Sequence, residues 1–142
     1  MIILDTDHIN IFQAGIGAAY DALVARMQSS VDQDFCTTVV TLEEQMRGWL
    51  AEVQRKQQAE KQVRPYDHLL ALLSFFQNWK ILRFSESAAE QFQDFRRQRI
   101  RIGSLDLKIA SIVVEHRALL LTANTCDFEQ VPGLAIADWL HH

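Results

Sequence analysis

The sequence predicts an α/β protein with a central, mostly parallel sheet of four to five strands flanked by helices. Short apolar or β-branched stretches, typical of buried strands, alternate along the chain with longer stretches of helical periodicity. Parallel strands need crossover connections, which helices covering both faces of a sheet commonly provide. The chain has 142 residues, 49% hydrophobic and 23% charged, which fits a single globular domain over residues 1–142.

The strands and helices follow from this pattern in chain order. Strands are expected over 1–5, 35–40, 79–84 and 118–122, with a small fifth strand at 135–136. Helices are expected over 7–14, 18–29, 41–63, 66–77, 87–99 and 105–116.

Three of the helix boundaries depend on local signals. Thr41 and Glu44 have the S/T-x-x-E spacing of a capping box, and so have Ser87 and Glu90. These two boxes predict where the third and fifth helices begin. Pro65 lacks a backbone donor, so we expect the third helix to end shortly before it.

Composition argues against a membrane or exported protein. No apolar run approaches the ~20 residues that span a bilayer. The opening Met1-Ile2-Ile3-Leu4-Asp5 has no basic segment, so we expect no signal peptide and a cytoplasmic location. Cys36 and Cys126 show no zinc-site spacing and are expected to be reduced thiols. The net charge of −4 neither supports nor excludes nucleic-acid binding, because a local basic surface decides that.

Four carboxylates follow the predicted strands. Asp5 ends the first strand, and Glu44 falls in the first turn of the helix after the second. Asp106 opens a later helix, and Asp127 comes just after the fourth strand. Parallel strands end at one edge of a sheet, where ligands bind in open α/β folds, so we expect these acids to gather there. Because like charges repel, such a cluster favours a divalent cation, and oxygen ligands favour Mg²⁺ or Mn²⁺. That chemistry suits attack of water on a phosphodiester.

Each acid also has a structural interpretation. Glu44 suits a capping box, Asp106 suits the positive end of a helix, and Asp127 suits a turn. Asp5 is different, because a carboxylate directly after a buried strand is costly without a partner. The combination is therefore stronger than any one of its members.

Several segments resemble the motifs of the PIN-domain family, and in particular of its VapC-like toxins. In chain order they are Ile3-Leu4-Asp5-Thr6-Asp7, Val40-Thr41-Leu42-Glu43-Glu44, Ile102-Gly103-Ser104-Leu105-Asp106-Leu107-Lys108-Ile109-Ala110, Leu121-Thr122-Ala123-Asn124-Thr125-Cys126-Asp127-Phe128, and Val131-Pro132-Gly133-Leu134 followed by Asp138-Trp139-Leu140. The motifs span nearly the whole chain in the family's order. The sequence departs from the pattern at Asp7, Leu105 and Ala123, and none of these departures removes a carboxylate.

The resemblance implies a three-layer α/β/α PIN-like fold and a Mg²⁺-dependent endoribonuclease, the toxin of a toxin–antitoxin pair. RNA would be the substrate, a VapB-like antitoxin the partner, and the chain would form a homodimer. Mn²⁺ is the expected substitute for Mg²⁺. The motifs place the catalytic and metal-binding carboxylates at Asp5, Glu44, Asp106 and Asp127. Secondary candidates, which can hydrogen-bond the acids or a phosphate or add a fifth acid, are Thr6, Asp7, Thr122 and Asn124.

Two other functions stay open at this point. A haloacid-dehalogenase-like phosphatase also begins with an apolar strand and D-x-D, and would use Asp5 as a nucleophile. The chain lacks that family's clear lysine motif and its paired acids after the fourth strand. A PIN-like module could instead bind RNA or a protein partner without cutting, although clustered acids bring nothing to such a role.

Basic and aromatic residues complete the set of candidates. Two groups of bases could hold RNA or form a solvated helix face, namely Arg96, Arg97, Arg99 and Arg101, and Arg47, Arg55, Lys56 and Arg64. The large apolar side chains expected chiefly in the core are Trp49, Leu50, Val53, Phe75, Phe76 and Trp79. We expect a surface or helix-cap position for His8 and a buried one for Cys126.

Overall fold

The computed structural model describes residues 1–141 and contains one five-stranded sheet; His142 lies outside the described residues. The strands are β1 (Ile2–Leu4), β2 (Phe35–Thr38), β3 (Ile81–Leu82), β4 (Leu119–Leu121) and β5 (Ala135–Ala137). Their order in the sheet is β3-β2-β1-β4-β5, and every neighbouring pair is parallel. The predicted parallel sheet is confirmed, although β3 is shorter than expected.

Seven helices connect the strands within residues 1–141. They are α1 (Thr6–Ala14), α2 (Ala18–Ser29), α3 (Val39–Arg55), α4 (Ala59–Phe76), α5 (Glu86–Arg97), α6 (Ser104–His116) and α7 (Thr125–Phe128). The short α7 was not predicted. None of these helices is both long enough and apolar enough to cross a membrane.

The core lies on both faces of the sheet. Successive side chains of a strand point to opposite faces, and β1 shows this alternation. Ile3 packs into a cluster with side chains of α5 and α6, whereas Ile2 and Leu4 pack with Ile9 of α1 and Phe76 of α4. The molecule therefore has the three-layer α/β/α arrangement that the sequence predicts.

The start of α3 is two residues earlier than the sequence predicts. The side chain of Thr38 accepts a hydrogen bond from the backbone N–H of Thr41 at 3.2 Å and so caps the helix. The capping box predicted at Thr41 and Glu44 is therefore wrong, because Thr38 supplies the same hydroxyl three positions earlier. Glu44 consequently lies in the second turn of α3, not the first.

The start of α5 shows the same error. Ser85 is the N-cap, and its hydroxyl accepts from the Ala88 N–H at 3.0 Å. Ser87, which was predicted to cap this helix, lies inside its first turn. In both helices a hydroxyl that precedes the predicted cap along the chain takes the capping position.

The predicted helix break at Pro65 is also wrong. Helix α3 ends at Arg55, α4 begins at Ala59, and Pro65 is buried inside α4. The side-chain amide of Gln62 donates to the backbone carbonyls of Val53 and Lys56 at 3.1 and 2.9 Å, which satisfies the end of α3. An interior proline removes one helical hydrogen bond and disfavours the helix, yet α4 continues through Pro65, which is buried.

Burial corrects several single-residue predictions. Of the large apolar side chains expected chiefly in the core, Phe76 is buried but Leu50 is 45% exposed, and the remaining four are half-buried. His8 is fully buried, so its predicted surface position is wrong. Cys126 is exposed, so its predicted buried position is wrong as well.

Candidate active site

Asp5 is held at the end of β1 by the sheet. Its own N–H donates to the carbonyl of Leu121 in β4 at 2.9 Å. Its side chain caps α1, because Oδ1 accepts from the Thr6 N–H at 2.7 Å. Oδ2 accepts from the hydroxyl of Thr122 at 2.8 Å. Both carboxylate oxygens of this buried residue therefore have fixed directions.

Burial and neighbouring acids make Asp5 a weak acid. Burial is the largest cause that raises its pKa from 3.8 to about 7, followed by the charges of Asp7 and, more weakly, Asp106. The hydrogen bonds from Thr6 and Thr122 act in the opposite direction. Near neutral pH the ionised carboxylate is under-stabilised by the protein alone, and a cation would stabilise it.

Asp7 is fixed by two parts of the chain that are distant in sequence. Its Oδ2 accepts from the Ala123 N–H at 2.7 Å. Its Oδ1 lies 2.7 Å from Nδ1 of the buried His8. The Trp139 N–H donates to His8 Nε2 at 3.2 Å, so the imidazole carries its proton on Nδ1 and donates it to Asp7. No sequence signal predicts this link, because it joins residues 131 positions apart.

Glu44 reaches the same edge from α3. Burial, followed by the charges of Asp106 and, more weakly, Glu43 and Asp7, raises its pKa. Its Oε1 is buried and has no hydrogen-bond partner among residues 1–141. A buried carboxylate oxygen without a donor is unfavourable, and it is the kind of atom that a cation would satisfy.

Asp106 and Asp127 are joined by one amide. Nδ2 of Asn124 donates to Asp127 Oδ2 at 3.0 Å and lies 3.3 Å from Asp106 Oδ2. Asp106 lies in the first turn of α6, as predicted, and Asp127 lies in α7. Burial and then the charge of Asp127 raise the pKa of Asp106, while the amide of Asn124 lowers it.

The structure brings all the predicted site residues to the carboxyl edge of the sheet. The four candidate acids and Asp7 influence one another electrostatically, and the remaining secondary candidates hydrogen-bond the acids or lie beside them. Their roles in catalysis stay predictions. The two basic groups are exposed apart from the half-buried Lys56. Arg47, Arg55 and Arg97 pair with acids of their own helices, as in a solvated helix face.

The donor set suits a hard divalent cation. Every candidate ligand is an oxygen, several of the acids have raised pKa values, and Glu44 Oε1 is unpaired. Within residues 1–141, however, no three His, Cys, Asp or Glu side chains are already arranged to hold a metal ion. Binding a cation therefore requires side-chain movement, first of all where Asn124 lies between Asp106 and Asp127.

The parallel α/β/α sheet with acids gathered at its carboxyl edge is the PIN-like arrangement that the sequence predicts. No protein-family model matches the sequence. The chain is 27% identical over 108 residues to the tRNA(fMet)-specific endonuclease VapC of Salmonella typhimurium. The matched region covers 73% of this chain and 74% of that protein.

Solved structures share the fold. A chain of VapBC from Salmonella typhimurium bound to DNA matches with a TM-score of 0.73 at 21% identity, over 97% of both chains. A chain of FitAcB from Neisseria gonorrhoeae matches with a TM-score of 0.69 at 23% identity, over all of both chains. A chain of VapBC2 from Rickettsia felis, bound to a promoter DNA fragment, matches with a TM-score of 0.67 at 22% identity, over 98% of this chain and 99% of that one. The resemblance to PIN-domain, VapC-like toxins and the predicted fold are confirmed.

Proposed function

We propose that this chain is a divalent-metal-dependent endoribonuclease, the toxin of a VapBC-like pair, and that residues 1–142 form a single PIN domain. The observation that carries the proposal is the group of five carboxylates at one sheet edge, whose burial and mutual repulsion raise the pKa of three of them. The similarity to an endonuclease that acts on tRNA(fMet) supports RNA as the substrate.

Each acid has a proposed role. Asp5 and Asp106 would be the principal ligands of Mg²⁺ or Mn²⁺, and Glu44 and Asp127 would complete the site. When bound, such a cation activates water and offsets charge on the scissile phosphate. Thr122 orients Asp5 through its hydroxyl, and the imidazole of His8 orients Asp7.

A VapB-like antitoxin is the proposed protein partner, and a homodimer the proposed assembly. The structural relatives named VapBC support a partner of this kind. The surface between α3 and α4 supports it as well, because an almost wholly apolar groove of about 400 Å³ opens there. The side chains that line the groove and stay exposed are Met46, Leu50, Tyr66, Leu70 and Leu73. Exposed apolar patches of this kind commonly mark protein interaction sites.

Cleavage by the purified chain tests the proposal. A tRNA pool and a single-stranded RNA are incubated with Mg²⁺, Mn²⁺ or EDTA, using the wild type and Asp106→Asn. We expect cleavage only with metal, and a loss of about 10³-fold in rate for Asp106→Asn. Asp94→Asn, an exposed acid of α5, is the control and should cut like the wild type. Equal cleavage in EDTA, or by Asp106→Asn, would contradict the proposal.

A further inference from the structure

A second groove starts at the carboxylates and runs between α1 and α3. Thr6 and Glu44 line it beside the acids, Gln13 and Gln45 line its middle, and Trp49 and Glu52 line it farther along α3. Its volume is about 410 Å³, within the range of small-molecule sites. Because it shares Thr6 and Glu44 with the acidic edge, anything bound there lies next to the proposed site of cleavage.

The middle of this groove carries a reciprocal pair of amides. Gln13 Nε2 donates to Gln45 Oε1 at 2.6 Å, and Gln45 Nε2 donates back to Gln13 Oε1 at 3.0 Å. Gln45 Nε2 also donates to Asn10 Oδ1 at 2.9 Å. Each glutamine thus offers a donor and an acceptor side by side. An incoming group with the complementary pattern could replace one glutamine without leaving the other unpaired.

An aromatic pair forms one wall of the groove. The ring of Trp49 stacks on the ring of His68, with centroids 3.8 Å apart and planes 2° from parallel. This packing fixes the orientation of the indole before any ligand arrives. Trp49 and Gln13 also line the next cavity along α4, so the groove continues beyond the indole.

We propose that this groove holds the nucleobase next to the scissile phosphate, with Gln13 and Gln45 reading its edge and Trp49 packing against it. The inference rests on the proposed ribonuclease function. Unpaired bases in RNA are typically recognised by aromatic packing together with hydrogen bonds to their edges. Glutamine pairs well with adenine, whose edge offers one donor and one acceptor together. The amide lining favours a base over a peptide helix, which the apolar groove between α3 and α4 would suit better.

Gly48 allows the groove to be filled without removing any contact. It lies on α3 in the groove wall, and a Cβ built there would meet nothing within 4 Å. Gly48→Leu should therefore obstruct the groove while α3 stays intact, because leucine favours a helix interior more than glycine does. Ala51→Leu, at an exposed position of the same helix, is its control. Gln45→Leu removes the reading amide, and Gln54→Leu, also exposed on α3, is its control.

The variants are compared on a single-stranded RNA pool randomised around the cut, with the new ends sequenced and thermal unfolding recorded. We expect Gly48→Leu to slow cleavage by about tenfold or more at an unchanged or raised melting temperature. Gln45→Leu should weaken the preference for the base flanking the cut by about tenfold. Both controls should keep the wild-type rate and preference.

Two other outcomes can be told apart. If the wild type cuts RNA and both groove variants cut at the same sites and rates, the inference is overturned and the ribonuclease function stands. The groove would then be left to a peptide ligand. If the wild type cuts no RNA with Mg²⁺ or Mn²⁺, the proposed function and this inference both fall.

Discussion

The acids at the carboxyl edge fall into two groups that are held in different ways. The inner pair, Asp5 and Asp7, accepts backbone N–H bonds and contacts Thr122 or His8. The outer acids, Glu44, Asp106 and Asp127, are half-buried on helices. One amide, that of Asn124, joins Asp106 and Asp127, and the hydroxyl of Thr6 is the hydrogen-bond partner of Glu44. The inner pair is therefore fixed by the fold, whereas the outer acids can move toward a cation.

This difference locates the electrostatic strain of the site. The raised pKa values of Asp5, Glu44 and Asp106 all have burial as their largest cause, with neighbouring carboxylates adding to it. Asp5 cannot move away from the neighbouring acids, because hydrogen bonds from Thr6 and Thr122 hold its two carboxylate oxygens in place. The outer acids can relieve their repulsion by turning to a ligand.

The largest effect should follow from neutralising the fixed acid. Asp5→Asn should lower RNA cleavage by about 10³-fold, because it removes a principal ligand. In metal-free buffer near pH 8 it should raise the melting temperature, since it removes a buried charge that the protein stabilises poorly. Cleavage assays and thermal unfolding in EDTA measure the two effects. A strong fall in the melting temperature would show instead that Asp5 is needed for folding.

The pH dependence of stability should differ between the wild type and Asp5→Asn. Because the pKa of Asp5 is raised from 3.8 to about 7 in the folded protein, the folded state holds the Asp5 proton more tightly than the unfolded state does. The Asp5 contribution to stability is thus complete below about pH 4 and is lost as the pH rises through 7. A shift of this size corresponds to about 4 kcal/mol.

Urea unfolding at pH 5 and pH 8, both in EDTA, measures the larger part of this contribution. The wild type should lose more stability between the two pH values than Asp5→Asn does. All other titrating groups are the same in the two proteins, so the difference between their stability losses is due to Asp5. Parallel pH profiles would mean that Asp5 is not strained in the folded state.

Metal binding should require the outer acids as ligands. At about 100 times its dissociation constant, Mg²⁺ or Mn²⁺ should add about 2.7 kcal/mol to the unfolding free energy of the wild type. The metal should add much less to the unfolding free energy of Asp106→Asn, whereas it should add as much to that of Asp94→Asn as to that of the wild type. Thermal unfolding with and without metal is the measurement. An equal gain for Asp106→Asn would place the cation elsewhere.

The smallest effect should come from the hydroxyl that fixes Asp5. Thr122→Val keeps the shape of the side chain but removes the donor to Asp5 Oδ2. We expect a loss of about 1–2 kcal/mol at pH 8, where Asp5 is ionised, and a smaller loss at pH 5. Urea unfolding at both pH values measures it. A loss that is the same at both would show that Thr122 does not act through the Asp5 charge.

The strand ends explain why so much of the site could be predicted. Apolar strands alternating with helices indicate a parallel sheet, and a parallel sheet brings Asp5 and Asp106 to one edge however the helix ends are assigned. The capping errors at Thr41 and Ser87 had no effect on this result, because a shift of two residues leaves the acids on the same edge.

The parts that could not be predicted depend on contacts between distant residues. Burial of His8 comes from the return of the chain to Trp139, and the end of α3 is satisfied by the side-chain amide of Gln62, which reaches back from α4. The amide pair of Gln13 and Gln45 joins positions 32 apart on two helices. Periodicity and capping patterns describe only neighbours along the chain, so they contain no information on these pairs.

The bond from Trp139 to His8 has a consequence for alterations near the end of the chain. Loss of that single N–H would leave His8 Nε2 buried without its donor and would free the imidazole to carry its proton on either nitrogen. The second tautomer presents a lone pair, not a proton, to Asp7, and would push its carboxylate away. A deletion after β5 that spares every acid of the site would therefore still disturb the inner pair.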